Sequence, residues 1–297
     1  MGINKLLLVI SIVSSVMLND VVIENFDSLN TSAEETIVEL LEEVTEENIP
    51  EENKEEIKEK LIKFNIDGLI LKEGVASEEV LKVKSFFKAK GYAGITDDYN
   101  FDSKIKGIVT NYQRSNGLKS DGIIGRTTYQ KINEDIELNK IIIPEIKMTF
   151  NIEIPGGDFI IINKSNNTLY HLKDKNVVKK YPVGTGKQPQ YTPEGKFTIV
   201  TKLVNPGWGG AGVSKPVAGG APNNPLGKRW MGLSIKGGGT YGIHGNSNEG
   251  SIGGYVSLGC VRMFNKDVES LYELIKIGTP VWIGNENVLK EYGINFQ

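Results

Sequence analysis

The hydrophobic period of this chain changes near its middle. Up to about residue 133 apolar residues recur at three- and four-residue spacing, and from about residue 159 they alternate within short runs. The first pattern suits helices buried along one face, the second half-buried strands. A single layer cannot satisfy both, so the change predicts two units: a small all-α three-helix domain, then a mostly-β domain. A chain of 297 residues has room for both and for flanking segments.

In the helical unit, 77–134, Ser77 reads as an N-cap with Glu78 and Glu79 in the first turn, where the helix dipole favours them. Val80, Val83, Phe86 and Phe87 make the apolar face, and Gly91 is placed to end the helix. Asp102 can cap a second helix carrying Ile105, Ile108, Val109 and Tyr112, with Gly117 as its stop. The turn signature Asp121-Gly122-Ile123-Ile124-Gly125 leads into a third short helix over about 126–132. A linker, 135–154, follows.

The β unit, 155–285, opens with strands over 159–163 and 168–172 around the hairpin residues Lys164-Ser165-Asn166-Asn167. Further strands are expected over 177–181, 196–203, 231–235 and 241–244. Asn265 is read as the cap of one late helix bearing Val268, Leu271, Tyr272 and Ile275, ended by Gly278, and 281–283 as the last strand. The expected architecture is β-sandwich-like with that single late helix. Residues 207–225 are too rich in Gly and Pro for regular structure and suggest a functional flap. Residues 286–297 are read as a C-terminal tail.

Ahead of both units, Lys5 and the apolar run over 6–18 read as a signal peptide or membrane anchor, 1–23, without a clear small-x-small cleavage site. Residues 24–76 read as an acidic helical spacer, with Ile37, Leu40, Leu41 and Val44 at helical spacing. The net charge of −3 gives no basic footprint for nucleic acid. One cysteine excludes an internal disulfide, and with only two histidines no metal-ligand spacing is present.

That cysteine, Cys260, lies in Ser257-Leu258-Gly259-Cys260-Val261-Arg262, downstream of His244 in Tyr241-Gly242-Ile243-His244-Gly245. A thiol attacks carbonyls as thiolate, and an imidazole is the usual means of making one at neutral pH. A lone cysteine is more often a small buried hydrophobe. Here Gly259 allows a sharp turn whose amides could face the oxygen of a tetrahedral intermediate, and Arg262 offers a fork for a carboxylate or else a surface salt bridge. Nucleophilic catalysis is the reading these features favour. His171, the other histidine, reads as a surface residue of an unrelated strand.

The helical unit resembles the peptidoglycan-binding domain attached to many bacterial wall enzymes. The resemblance is carried by Val83-Lys84-Ser85-Phe86-Phe87, Tyr112-Gln113-Arg114-Ser115-Asn116-Gly117-Leu118 and Asp121-Gly122-Ile123-Ile124-Gly125-Arg126-Thr127-Thr128. The β unit resembles the L,D-transpeptidase catalytic domain in Pro182-Val183-Gly184-Thr185-Gly186, Thr192-Pro193-Glu194-Gly195-Lys196-Phe197, Asn205-Pro206-Gly207-Trp208 and Leu226-Gly227-Lys228-Arg229-Trp230-Met231. It does so again in the His244 and Cys260 segments and in Asn265-Lys266-Asp267-Val268. Where that family commonly has Ser/Thr-His-Gly-Cys, Leu258 stands in place of the histidine.

This resemblance implies a site and a substrate. Cys260 would attack the third-residue carbonyl of a peptidoglycan stem peptide, and His244 would act as general base and acid. The Gly245 carbonyl would hold the imidazole, and the amides of Leu258, Gly259 and Cys260 would form an oxyanion hole. Arg262 would orient the base loop or a stem carboxylate, Ser257 would bond backbone or substrate, and Tyr241 and Trp230 would line the cleft or pack the core. It further implies 3→3 cross-links with release of D-alanine, no cofactor, glycan strands as partners and acylation by carbapenem-type β-lactams. The location implied is extracytoplasmic, at the cell wall or the outer face of a bacterial membrane, with membrane contact only through the N-terminal segment. The competing readings are an L,D-carboxypeptidase or cysteine peptidase trimming stems, and a non-catalytic wall-binding protein.

Overall fold

The computed structural model describes residues 61–297. The expected signal or anchor segment and the expected spacer up to residue 60 lie outside the described residues. Among the described residues no helix is long and apolar enough to cross a membrane.

The helical part contains α1 (Glu78–Ala89), α2 (Ser103–Ser115) and α3 (Arg126–Asn139). Side-chain oxygens close the first two at their starts: Ser77 Oγ accepts from Val80 N at 3.3 Å, and Asp102 Oδ1 from Ile105 N at 2.8 Å. Gly91, at φ +89°, supplies the left-handed residue beyond the end of α1. Val80, Val83, Phe86, Phe87, Ile105, Val109 and Tyr112 converge on one core, as their spacing predicts.

Two boundaries differ from the expectation, and tertiary contact decides both. Helix α3 continues to Asn139 because Ile136 enters the core and Asp135 is fixed by Lys90 at 2.8 Å, Lys131 at 3.0 Å and Tyr112 Oη at 3.1 Å. The expected spacer ends early: Phe64, Leu69, Leu71 and Val75 pack into the helical core, with Phe64 stacked on Tyr129 at 5.4 Å.

The β part contains β1 (Met148–Phe150), β2 (Asp158–Asn163), β3 (Thr168–Lys173), β4 (Asn176–Pro182), β5 (Thr185–Gly186), β6 (Gly195–Val204), β7 (Arg229–Leu233), β8 (Gly242–His244), β9 (Tyr255–Ser257) and β10 (Val261–Arg262). Helix α4 (Asn265–Leu274), β11 (Pro280–Gly284), α5 (Glu286–Glu291) and β12 (Ile294–Phe296) complete it. Eight strands form one sheet in the order β10-β8-β7-β6-β11-β2-β3-β4, parallel at β10·β8 and β11·β2 and antiparallel elsewhere. Strands β1·β12 and β5·β9 make two small pairs.

Strand β2 is apolar on both faces, and the sheet is accordingly covered on both. Ile160, Ile162, Leu169, Met231, Ile243, Val261 and Val281 share one core with Val268 and Leu271 of α4. Phe159, Ile161, Tyr170 and Trp282 share the other with Leu289 and Ile294. Residues 286–297 are therefore no tail: α5 and β12 cover the second face, which would otherwise expose those aromatics.

The two parts meet directly. Ile252 belongs to the helical core, and Ala76 N donates to Gly253 O at 2.8 Å. Glu78, buried at the start of α1, accepts from Tyr170 Oη of β3 and from Lys180 Nζ of β4, the latter at 3.1 Å. Removing the carboxylate leaves the buried Tyr170 hydroxyl without its acceptor, while Lys180 keeps the Ile146 carbonyl at 3.3 Å. Glu78→Ala is expected to lower stability by about 3 kcal/mol, measured as a shift in the denaturation midpoint of the full chain.

Candidate active site

Strands β8 and β10 lie side by side and parallel, with Ile243 opposite Val261 and His244 opposite Arg262. This pairing brings the His244 and Cys260 segments together, since Cys260 immediately precedes β10. The thiol is half-buried, and Sγ donates to the Thr240 carbonyl at 3.5 Å. Burial pushes its pKa up, against a bond from the Gly242 backbone and the Arg262 charge, which both lower it.

His244 is 3% exposed. Its Nδ1 faces the Gly245 carbonyl at 2.5 Å, and a carbonyl only accepts, so Nδ1 carries the proton and Nε2 keeps its lone pair. Burial holds the imidazole down at about 4; the Gly245 bond opposes this and the Arg262 charge adds to it. Near neutral pH the resting site therefore holds a neutral thiol and a neutral imidazole. The depressed pKa also links to stability. Between pH 6.5 and about 4 the unfolded chain binds a proton at this histidine that the native chain does not. Stability is full above that window and falls by roughly 3 kcal/mol as pH drops through it. Denaturant midpoints across the range are expected to show the loss, and His244→Gln to reduce it.

The Trp230 ring stacks on His244 with centroids 5.7 Å apart and planes at 16°, across the β7·β8 pair. Trp230 is buried, and its Nε1 donates to Gly238 O at 3.0 Å. Of the two readings, cleft lining and core packing, its burial against the imidazole matches the second. Tyr241 is half-buried against Gly259: a Cβ on that glycine would lie 2.7 Å from Tyr241 Cε1 and 2.6 Å from Tyr191 O. Gly259 also sits at φ +139°, so the turn into Cys260 requires glycine on two counts.

Ser257 braces that turn. Its Oγ accepts from Gly259 N at 3.0 Å and donates to Cys260 O at 2.7 Å. The Gly259 amide, expected to face an oxyanion, is bonded to Ser257 in this structure. The amides of Leu258 and Cys260 have no hydrogen-bond acceptor among the described residues. The Leu258 side chain, two residues before Cys260, stands 53% exposed, with Tyr255 and Val256 also exposed. Arg262 is half-buried, its backbone paired with Gly184 in both directions at 2.8 Å, and no carboxylate among the described residues lies within 4.0 Å of its guanidinium. The salt-bridge alternative for Arg262 thus finds no partner.

His171 corrects a second expectation. It is 2% exposed rather than on the surface, with Nε2 against Asp158 Oδ1 at 2.8 Å. It lies on β3, near the opposite edge of the sheet from β8 and β10. Asn265 corrects a third. Phe264 occupies the cap position of α4, and Asn265 bonds instead to the backbone after His244. Nothing in residue spacing reports that contact.

The family model described as the L,D-transpeptidase catalytic domain matches residues 157–283, and the one described as "Putative peptidoglycan binding domain" matches residues 76–132. "Putative L,D-transpeptidase YqjB" of Bacillus subtilis is 43% identical over 136 residues, covering 45% of this chain and 75% of the relative. YkuD of the same organism, which carries the same designation, is 37% identical over 124 residues, covering 42% and 64%. A crystal structure of the L,D-transpeptidase from Xylanimonas cellulosilytica aligns over 72% of this chain and 97% of its own at 19% identity, with a TM-score of 0.35. The chain belongs to the L,D-transpeptidase family, and its catalytic domain follows a peptidoglycan-binding domain.

Proposed function

We propose that this chain forms 3→3 cross-links in peptidoglycan through a thioester on Cys260. His244 Nε2 takes the thiol proton as Sγ attacks the carbonyl of the third stem residue, and the amides of Leu258 and Cys260 receive the oxyanion. The carbon–nitrogen bond to D-alanine breaks, and the imidazolium returns the proton to the leaving amine. The side-chain amine of a second stem then attacks the thioester, loses its proton to His244, and Sγ leaves to be reprotonated. The observation that carries this reading is the His244 tautomer: with Nδ1–H spent on the Gly245 carbonyl, the one nitrogen left can only accept.

Arg262, half-buried without a carboxylate partner among the described residues, is suited to a free carboxylate of the stem. Arg262→Ala is expected to raise KM for a stem bearing that carboxylate by about 10- to 100-fold, the worth of a charge-assisted bond. An amidated stem is expected to show little change, and steady-state kinetics on the pair of substrates reads the difference. The same thiol is expected to be acylated by carbapenem-type β-lactams, and the domain pairing supports an extracytoplasmic place at a bacterial cell wall.

Incubation with disaccharide-tetrapeptide and chromatography of the products tests the proposal. A cross-linked dimer with one free D-alanine per bond is the expected result. Tripeptide without dimer would make water the acceptor and the chain an L,D-carboxypeptidase. No product from the folded protein would leave a wall-binding role.

A further inference from the structure

Asn265 does more than begin a helix. Its Oδ1 accepts from Asn246 N and from Lys228 N, each at 3.3 Å, and its Nδ2 donates to Asn246 O at 2.7 Å. The Asn246 N–H and the Gly245 carbonyl are the two ends of one planar peptide unit. That carbonyl is the group that holds His244 Nδ1. Asn265 therefore grips the far end of the peptide that fixes the base, and the Nδ2 bond holds the next carbonyl as well. The peptide cannot rotate without breaking these bonds. Donation from its N–H also polarises the unit and makes the Gly245 oxygen a better acceptor.

The surroundings are shaped to admit this side chain. A Cβ on Gly245 or on Gly227 would collide with Asn265 Oδ1. The other flank of the turn is closed by Asn246, whose Oδ1 accepts from Asn248 N at 3.1 Å and whose Nδ2 donates to Asn248 O at 2.6 Å and to Ser251 Oγ. A helix-start role would leave the Asn265 amide on its own helix; among the described residues all of its side-chain bonds go to residues 228 and 246.

We infer that Asn265 is a positioning residue for the reaction proposed above: it locks the 245–246 peptide so that His244 is held in the Nδ1–H tautomer with Nε2 free. The inference rests on His244 acting as the base. Two variants of the full chain separate this from a structural role. Asn265→Ala removes the amide; Asn265→Ser removes its reach but keeps a residue favoured at helix starts. Nitrogen-15 shifts of the His244 ring are read beside kcat and KM on disaccharide-tetrapeptide.

Both variants are expected to lose the single Nδ1–H pattern. Their kcat should fall about tenfold or more, part of the roughly 10²–10⁴-fold a positioned base contributes, with KM within about twofold. Should the alanine protein not fold, the serine protein decides alone. A folded Asn265→Ser chain with the wild-type ring shifts and kcat would overturn the inference. If the wild-type chain forms no dimer, the ring shifts still test the positioning, and it is the reaction that fails.

Discussion

Cys260→Ala is expected to abolish D-alanine release, dimer formation and every covalent adduct, a loss of roughly 10³-fold or more, of the order seen when a covalent nucleophile is removed. The chain has no second thiol to substitute. The fold should not register the change: Sγ meets only backbone groups, the Thr240 carbonyl at 3.5 Å and Gly242, and the turn is held by Ser257 and Gly259 rather than by the thiol. A stability within about 0.5 kcal/mol of wild type is therefore expected, as for a substitution that leaves no large cavity or orphaned partner. Residual cross-linking by a folded alanine variant would remove Cys260 from the mechanism.

His244→Gln is the second large effect. Loss of the base should lower kcat/KM by about 10²–10⁴-fold at neutral pH. The pH profile should also change shape. In the wild-type chain an acid limb is expected at about 4, where the buried imidazole becomes protonated and can no longer accept. Without it, attack depends on spontaneous ionisation of a thiol that burial keeps protonated. The variant rate should then climb with pH through the alkaline range and show no such acid limb. Iodoacetamide, which also requires thiolate, should modify the wild-type chain more slowly at neutral pH than it modifies a free thiol. An unchanged acid limb in His244→Gln would assign the titration to another group.

Local chemistry was legible where the chain decides locally. Ser77 and Asp102 cap their helices as read, Gly91 ends α1, and Lys164 to Asn167 turn the β2–β3 hairpin. Cys260 and His244 stood out because each residue type is rare in this chain. Spacing could not carry the parallel β10·β8 register that joins them. That register depends on the path of residues 245–259, which is closed by tertiary bonds such as Gly253 N to Val183 O at 2.9 Å.

The same limit hid the supports of the base. Trp230 meets His244 only through the β7·β8 pairing, and Asn265 meets Asn246 only once α4 has folded against that turn. Trp230 reads locally as cleft lining or core packing and Asn265 as a helix cap, and local patterns do not name His244 or Asn246 as their partners. Residues 286–297 follow the same rule: their short apolar pattern does not say what it packs on, and Leu289 and Ile294 become core only against a sheet face that distant strands assemble.

In the proposed reaction Cys260 carries the acyl group. Intact-mass analysis of the chain, quenched in acid within seconds of mixing with disaccharide-tetrapeptide, tests it most directly, with peptide mapping to locate any adduct. The expected result is a mass increase equal to disaccharide-tetrapeptide less D-alanine, mapped to Cys260 and discharged on adding an acceptor amine. Dimer formation with Cys260 unmodified throughout, or an adduct on any other residue, would contradict it.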